Sequence, residues 1–326
     1  MAISVTDPIS RAIARAKLVT FQPFDIRKWF VLGFCAFLAS LGQQGANFNY
    51  SGGNGGGGPP TPRTPGKAPA PNPFDAVTAW ISSHPLQVAL IAAAAALVVL
   101  AIWVLVLWLS SRGQFMFMDG IAKNVAEVVA PWKLYRGLGN SLFRFRICLA
   151  GIWFVAFCVI AGVSLLLAWH DIENKTFGSG AIAALIVGIL MLLPTALLVG
   201  LIDWCTQTFV TTVMYARGTT VLVAWREFRK NILAGHVGSL ILFLLMSIVL
   251  GIAVAMAQLL LGCLTLCIGF LPYLSNVAAL PFEVFMRSYS IYFLQQFGPE
   301  YAIMMEPPPP GFGFPVVFPP QLPPRA

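Results

Sequence analysis

The chain has 326 residues, of which 58% are hydrophobic and only 10% are charged, and its mean hydropathy is +0.80. Soluble domains are about 45–50% apolar and roughly 25% charged, so this composition excludes an ordinary water-soluble domain. The net charge of +8 does not indicate nucleic-acid binding, because the Lys and Arg residues cluster beside apolar runs and form no continuous basic stripe.

Residues 1–28 are predicted to form an amphipathic cytoplasmic segment. In DPISRAIARAKLVTF, Asp7 is expected to cap a helix that starts at Pro8, and Ile9, Ile13 and Ala16 share one face. Such a helix is expected to lie in the membrane interface, where Lys and Arg contact the phosphates of anionic lipids.

Six apolar runs follow within residues 29–298, where about 20 residues are needed to cross roughly 30 Å of hydrocarbon. The first, 29–42, is short and must tilt or thin the bilayer locally. A cleaved signal sequence is the less favoured alternative, because 28 residues precede this run. The other runs are 86–109, 143–169, 181–202, 237–262 and one that begins near 264, which forms a tight hairpin with the fifth around Cys263 and Cys267. The sequence therefore predicts an all-α integral membrane fold with about six transmembrane helices.

The side of the membrane on which each loop lies is predicted from the Lys and Arg residues near the ends of these runs, because cytoplasmic loops are enriched in them. Of the 20, only Arg63, Lys67 and Lys175 fall in the opposite loops, which leaves 20 − 3 = 17 on one side. Both termini are therefore predicted to be cytoplasmic.

Two low-complexity segments lie outside the predicted bundle. Residues 45–73 are rich in Gly and Pro and are expected to form a flexible extracytoplasmic loop. The Gly run lacks the GxxxxGK[ST] pattern of a phosphate loop. Residues 299–326 are predicted to be a disordered, Pro-rich cytoplasmic tail, which is either merely solvated or a ligand for a Pro-binding protein partner.

An internal repeat is indicated by two similar cytoplasmic boxes. Residues 132–136 (WKLYR) and 225–229 (WREFR) share the order Trp, basic, any, aromatic, Arg at an offset of 93 residues, and Gln114 aligns with Gln207 at the same offset. Each unit is read as a span, an amphipathic cytoplasmic helix and a span. The connector around Phe115, Met118 and Ala122, with Asp119 on its polar side, is predicted to be such an interfacial helix.

The boxes allow two interpretations. Trp, Tyr, Lys and Arg all favour the membrane interface, so the boxes can be ordinary anchors. Alternatively they form paired sites for lipid phosphates, with these residues as the contacts: Trp132, Lys133, Arg136, Trp225, Arg226 and Arg229.

Two polar stripes mark the predicted fourth and sixth helices. Asp203 and Gln207 follow one helix face, while Asn276, Glu283 and Arg287 follow another, with Glu283 and Arg287 spaced to pair. Ionisable groups near membrane depth indicate function. The stripes are expected to form a polar network at the cytoplasmic helix ends, either structural or lining a solute path.

No catalytic or metal site is indicated. The six Cys residues form no CxxC pair, the three His residues are isolated, and no nucleophile has a positioned base, so we expect neither an enzyme nor a cofactor. No pattern in the sequence specifies an oligomeric state.

Three segments resemble an uncharacterised family of bacterial multi-pass membrane proteins: FQPFDIRKWFVLGF from Phe21, RGQFMF from Arg112 and LPFEVFMRSYSIYFLQQFGPEY from Leu280. This resemblance implies a six-helix domain of unknown function in the inner membrane of a bacterium. More distantly, the chain resembles the membrane domain of some glycerophosphodiester phosphodiesterases, although their catalytic barrel is absent. Three functions stay open: a non-enzymatic protein associated with lipids or partners, a transporter of solutes or lipids, and a membrane-embedded enzyme acting on lipid head groups.

Overall fold

The computed structural model describes residues 3–22, 24–41, 80–174, 178–265 and 272–304. These residues are largely helical and contain no strand. The predicted loop 45–73, the tail beyond 304 and the hairpin turn at Cys267 lie outside the described residues. In chain order the helices are α1 (Asp7–Phe21), α2 (Ile26–Ser40), α3 (Pro85–Lys123), α4 (Val129–Leu134), α5 (Arg136–Glu173), α6 (Ser179–Cys205), α7 (Thr211–Arg217), α8 (Val221–Glu227), α9 (Val237–Thr265) and α10 (Pro272–Gln295).

Four helices are long and apolar enough to cross a membrane: Pro85–Lys123, Arg136–Glu173, Ser179–Arg217 and Val237–Gly262. They contain the second to fifth predicted runs, and the third of them passes from α6 through a π-helical turn, Thr206–Val210, into α7. The predicted first and sixth runs form α2, of 15 residues, and α10, of 24 residues, which are not among the four.

The four long helices expose their apolar side chains over most of their length. Leu97 in α3, Leu166 in α5, Leu197 in α6 and Leu259 in α9 are each at least two-thirds exposed. Helices in water bury such residues, whereas hydrocarbon solvates them at no cost. These exposed surfaces are therefore suited to contact lipid tails.

The buried core lies at one end of the long helices, and we call it the basal core. It combines α1, α2, the end of α3, the segment from Thr206 to Met214, and the second half of α10. Within α3 every residue from Ser110 to Ala122 is buried, so the predicted interfacial connector is instead the end of a 39-residue helix enclosed on all sides.

Burial of the connector is possible because the Asp119 carboxylate is satisfied within the protein. Its Oδ1 accepts from Tyr135 Oη at 2.6 Å and from Tyr215 Oη at 2.7 Å, and it lies 2.8 Å from Lys123 Nζ. Burial is the main cause that raises the pKa of Tyr135, and the hydrogen bond to Asp119 raises this pKa further. The Tyr135 hydroxyl therefore stays protonated and acts as a donor. The sequence pattern predicts an exposed Asp119, because the two tyrosines that bind its carboxylate are not visible in the local pattern.

Helix α1 also differs from its predicted orientation. It begins at Asp7, with Thr6 as the N-cap residue, and buries Ala12, Arg15 and Val19, whereas Ile13 is 43% exposed. Arg15 is buried because its guanidinium donates to the carbonyl oxygens of Ile121 and Ala122, both at 2.7 Å from Nη2. A cation at the C-terminal carbonyls of a helix is favourable, so α1 is anchored to the end of α3.

Helix α2 lies beside the last third of α3 in the opposite direction. Lys28 Nζ donates to Asn124 Oδ1 at 2.7 Å, and Ser110 Oγ donates to the Ala39 carbonyl at 3.0 Å. Gly113 permits this contact, since a Cβ there would lie 2.6 to 2.7 Å from Leu38 and Ala39 atoms.

Both ends of the described chain meet at the basal core. Ser4 N donates to Gln296 Oε1, and Gln296 Nε2 donates to the Ser4 carbonyl, each at 2.8 Å. Tyr301 is fully buried and its hydroxyl donates to Glu227 Oε1 at 3.0 Å. The prediction of disorder from residue 299 onward is therefore wrong for residues 299–304, because Tyr301 and Met304 pack into the core.

Candidate binding cavity at the polar helix ends

A cavity of about 810 Å³ lies beside the basal core, and we call it the polar cavity. Asp203, Gln207, Glu283 and Arg287 all line it. Four of the five residues predicted to form a polar network therefore surround one space. The fifth, Asn276, is connected through Ser40, whose Oγ donates to Asn276 Oδ1 at 3.2 Å and which itself lines the cavity.

Arg287 joins the two polar stripes. Its Nη1 donates to the Gln207 carbonyl at 2.6 Å and its Nη2 to Thr211 Oγ1 at 2.8 Å. The Gln207 carbonyl belongs to the π-helical turn Thr206–Val210. Such turns are frequent at functional sites. The stripes on α6–α7 and α10 thus face each other.

The expected pairing of Glu283 with Arg287 is wrong. No ion pair joins them in the described structure, because Arg287 is engaged by Gln207 and Thr211, whereas Glu283 hydrogen-bonds with Gln258 of α9. Glu283 therefore lines the polar cavity without an ion-pair partner among the described residues.

A short relay of amides crosses the cavity. Gln114 Nε2 donates to Gln207 Oε1 at 3.4 Å, and Gln207 Nε2 donates to Asp203 Oδ2 at 2.5 Å. Gln114 and Gln207 are the two glutamines aligned by the 93-residue offset. Their contact connects α3 to the turn after α6 and orients one oxygen of Asp203.

Two arginines that the sequence pattern counted only as basic flanks are buried in the structure. Arg112 is buried and its guanidinium lies over the rings of Trp108, at 4.2 Å, and Trp132, at 4.9 Å. Arg146 is buried beside Ser110. A signal for Arg146 was present in the sequence, because Gly139, Leu142 and Arg146 recur at the i, i+3, i+7 spacing of one helix face.

Arg146 lines a second space of about 340 Å³ that adjoins the polar cavity, and we call it the Arg146 groove. The two spaces share Trp153, Gly200, Asp203 and Gln207. The rest of the groove wall is mainly apolar, so its chemistry differs from that of the polar cavity.

The tryptophans of the two boxes turn toward the protein. Trp132 packs edge-on against Trp108 with the ring centroids 5.7 Å apart. The indole N–H of Trp225 donates to Thr206 Oγ1 at 3.1 Å. The predicted basic contacts are all exposed, namely Lys133, Arg136, Arg226 and Arg229. In each box the Trp therefore packs against the protein, while the basic side chains are exposed.

The arrangement offers charge and hydrogen bonding to a ligand. Among the described residues, no group of three or more His, Cys, Asp and Glu side chains could hold a metal ion. The lining combines two carboxylates, a guanidinium, amides and hydroxyls, which suits recognition of a polar or charged group.

The fold defines an all-α protein with four helices suited to cross a membrane and a charged cavity at one end of them. The chain belongs to DUF7544, a family of unknown function that matches residues 3–280. This agrees with the resemblance to an uncharacterised family. No curated protein and no solved structure matches the chain, and the more distant resemblance to glycerophosphodiester phosphodiesterases finds no support.

Proposed function

We propose that this protein is a non-enzymatic, multi-pass protein of the bacterial cytoplasmic membrane that binds anionic lipids at the cytoplasmic face. The observation that carries the proposal is the outward placement of Lys133, Arg136, Arg226 and Arg229 at the end where the exposed apolar helix surface stops. Basic side chains at this depth meet lipid phosphates, and anionic lipids attract them.

Six crossings with both termini in the cytoplasm are part of this proposal. The contacts of Ser4 with Gln296 and of Arg15 with Ile121 support it, because they bring Ser4, Gln296 and the end of α3 to the same end of the long helices. If α3 and α9 cross the membrane, the chain must reach the far side before α3 and return after α9. Helices α2 and α10 are the segments available for these crossings.

The experiment compares two sets of four neutralised basic residues. One variant carries K133Q, R136Q, R226Q and R229Q; the control carries R11Q, K17Q, R27Q and K230Q, which are also exposed and predicted to lie on the same side. Phosphatidylglycerol retained by the purified proteins is counted by native mass spectrometry. We expect a several-fold loss in the box variant and a smaller one in the control, because two packed Trp residues hold the box side chains in place. Equal losses would show that only net charge matters and would contradict the proposal.

Transport of a small solute or lipid is the second candidate function, and the polar cavity of about 810 Å³ favours it. Charged residues at a helix break in a membrane protein often mark a solute path. Flux into proteoliposomes tests it, with Asp203→Asn, Glu283→Gln and Arg287→Met as variants. Loss of substrate-specific flux in these variants supports transport, whereas no flux by the native protein for any solute or lipid tested removes it.

A further inference from the structure

Arg146 is a buried cation that the protein leaves partly unpaired. It is 5% exposed, its Nη1 donates to Ser110 Oγ at 3.3 Å, and its Nε and Nη2 have no hydrogen-bond partner. In the part of the chain that the structure describes, no carboxylate lies within ion-pair distance of it. Buried polar groups are nearly always satisfied, and an unsatisfied charged donor is especially costly. A ligand that accepts these hydrogen bonds would remove the cost.

The two unpaired nitrogens define the kind of ligand. The Nε–H and one Nη2–H of arginine lie parallel along one edge of the guanidinium plane, and this edge matches two oxygens of a phosphate or carboxylate. Arg287 and Arg146 repel each other electrostatically, and an anion bound to Arg146 would reduce this repulsion. Both nitrogens are shielded from solvent, so an oxyanion reaches this edge only when neighbouring side chains move.

The walls of the Arg146 groove define the rest of the ligand. Trp103 and Leu107 of α3 and Leu149, Ala150 and Trp153 of α5 line it, opposite Ala196 and Val199 of α6. The neighbouring side chains on the same helices face outward, with Leu105 54% and Ile152 64% exposed. The groove thus leads from a buried guanidinium to surfaces suited to contact lipid tails, which is the shape of a site for an amphiphile.

Asp203 places a negative charge in the same groove. It lines the wall with Arg146, and its field acts on Arg146 as an attraction although the two side chains form no ion pair. One carboxylate oxygen, Oδ2, accepts from Gln207, whereas Oδ1 has no hydrogen-bond partner within the described residues. An anion at Arg146 would be repelled by Asp203 unless the same head group carries a cation toward the carboxylate.

We propose that the Arg146 groove binds one zwitterionic glycerophospholipid, with its phosphate on the Nε and Nη2 edge of Arg146, its ammonium toward Asp203 and an acyl chain along Trp103, Leu107 and Trp153. This site lies apart from the two basic boxes and does not depend on their lipid contacts. It adds selection by head-group charge, since a purely anionic lipid would face Asp203 without a counter-charge.

The test measures lipid binding to the purified full-length protein. Phosphatidylethanolamine and phosphatidylglycerol are titrated separately, and bound lipids are counted by native mass spectrometry. We expect one phosphatidylethanolamine to bind at least tenfold more tightly than the following ones, at least tenfold more weakly to R146Q, and unchanged to the control R144Q. Arg144 is a matched control because it lies two residues away on α5 and is exposed. Unchanged affinity in R146Q, or no preferred first lipid, would overturn the site.

Two further variants keep the inference testable if R146Q does not fold. R146K retains the charge but not the two-donor edge, and we expect phosphatidylethanolamine to bind it several-fold more weakly. D203N should bind phosphatidylglycerol as tightly as phosphatidylethanolamine, because the repulsion is removed. If the native protein already binds both lipids equally, the zwitterionic assignment is wrong. Loss of lipid in the box variants with this preference intact would separate the two proposals.

Discussion

Gln114 and Gln207, 93 residues apart in the chain, meet side chain to side chain with Nε2 and Oε1 3.4 Å apart. The two glutamines differ in the other hydrogen bonds that their side chains make. Gln207 also donates to Asp203 at 2.5 Å, whereas Gln114 Oε1 is buried without a partner. The two glutamines occupy corresponding positions of the proposed repeat but do not contribute equally to the network.

This asymmetry predicts unequal effects of the same substitution. Gln207→Leu removes the donor to a carboxylate and should destabilise the protein by about 1.5–3 kcal/mol. Gln114→Leu removes one long hydrogen bond together with an unsatisfied oxygen, so its cost should stay below about 1 kcal/mol. Unfolding is measured for both variants in the same detergent. Equal destabilisation would show that Gln207 does not support Asp203.

Arg15 should contribute far more to stability than Arg11 on the same helix. Arg15→Met leaves the carbonyl groups of Ile121 and Ala122 without their buried donor, and we expect a loss of about 2–3 kcal/mol. Arg11 is half-exposed and pairs with Asp7 at 3.4 Å, so Arg11→Met should cost less than about 1 kcal/mol. Thermal unfolding at low and high salt distinguishes them, because only the exposed pair is screened.

The helices and the polar stripes could be predicted because their signals are local. Asp203 and Gln207, like Glu283 and Arg287, are four residues apart, and this spacing alone places each pair on one helix face. The four long apolar runs were recognisable for the same reason, since length and composition define them.

The burial of Arg15 and Asp119 could not be predicted, because their partners are distant in sequence. Arg15 binds carbonyl groups 106 and 107 residues away, and Asp119 binds Tyr215 at a separation of 96 residues. A pattern that treats Lys, Arg and Asp as surface residues therefore assigned α1 and the end of α3 to the membrane interface. Their placement in the basal core depends on pairings that only the folded chain brings together.

Close packing of α2 on α3 should make Gly113 intolerant of any side chain. A Cβ at Gly113 would lie 2.7 Å from the Ala39 backbone nitrogen, so Gly113→Ala must push the two helices apart, at a cost of about 1–3 kcal/mol. Gly151 in α5 has no atom within 4 Å of such a Cβ and is the matched control.

For Gly151→Ala we expect no loss of stability, because alanine favours a helix interior over glycine by roughly 1 kcal/mol. Apparent melting temperatures of the two variants in one detergent give the comparison. A Gly113→Ala protein as stable as the native one would show that α2 does not pack on α3 this closely.

The proposed topology predicts which exposed positions a membrane-impermeant thiol reagent reaches in intact cells. In a variant that lacks the six native cysteines, single cysteines replace Thr6, Ser83, Lys230 and Ala302, all of which are exposed. We expect labelling of Ser83→Cys in intact cells and of the other three only after the membrane is made permeable. The Thr6 and Ser83 pair reports whether the chain crosses at α2, and the Ser83 and Ala302 pair reports whether it returns after α9. Labelling of Thr6→Cys and Ser83→Cys from the same side would mean that the segment between them, including α2, does not cross, and six spans would then be excluded.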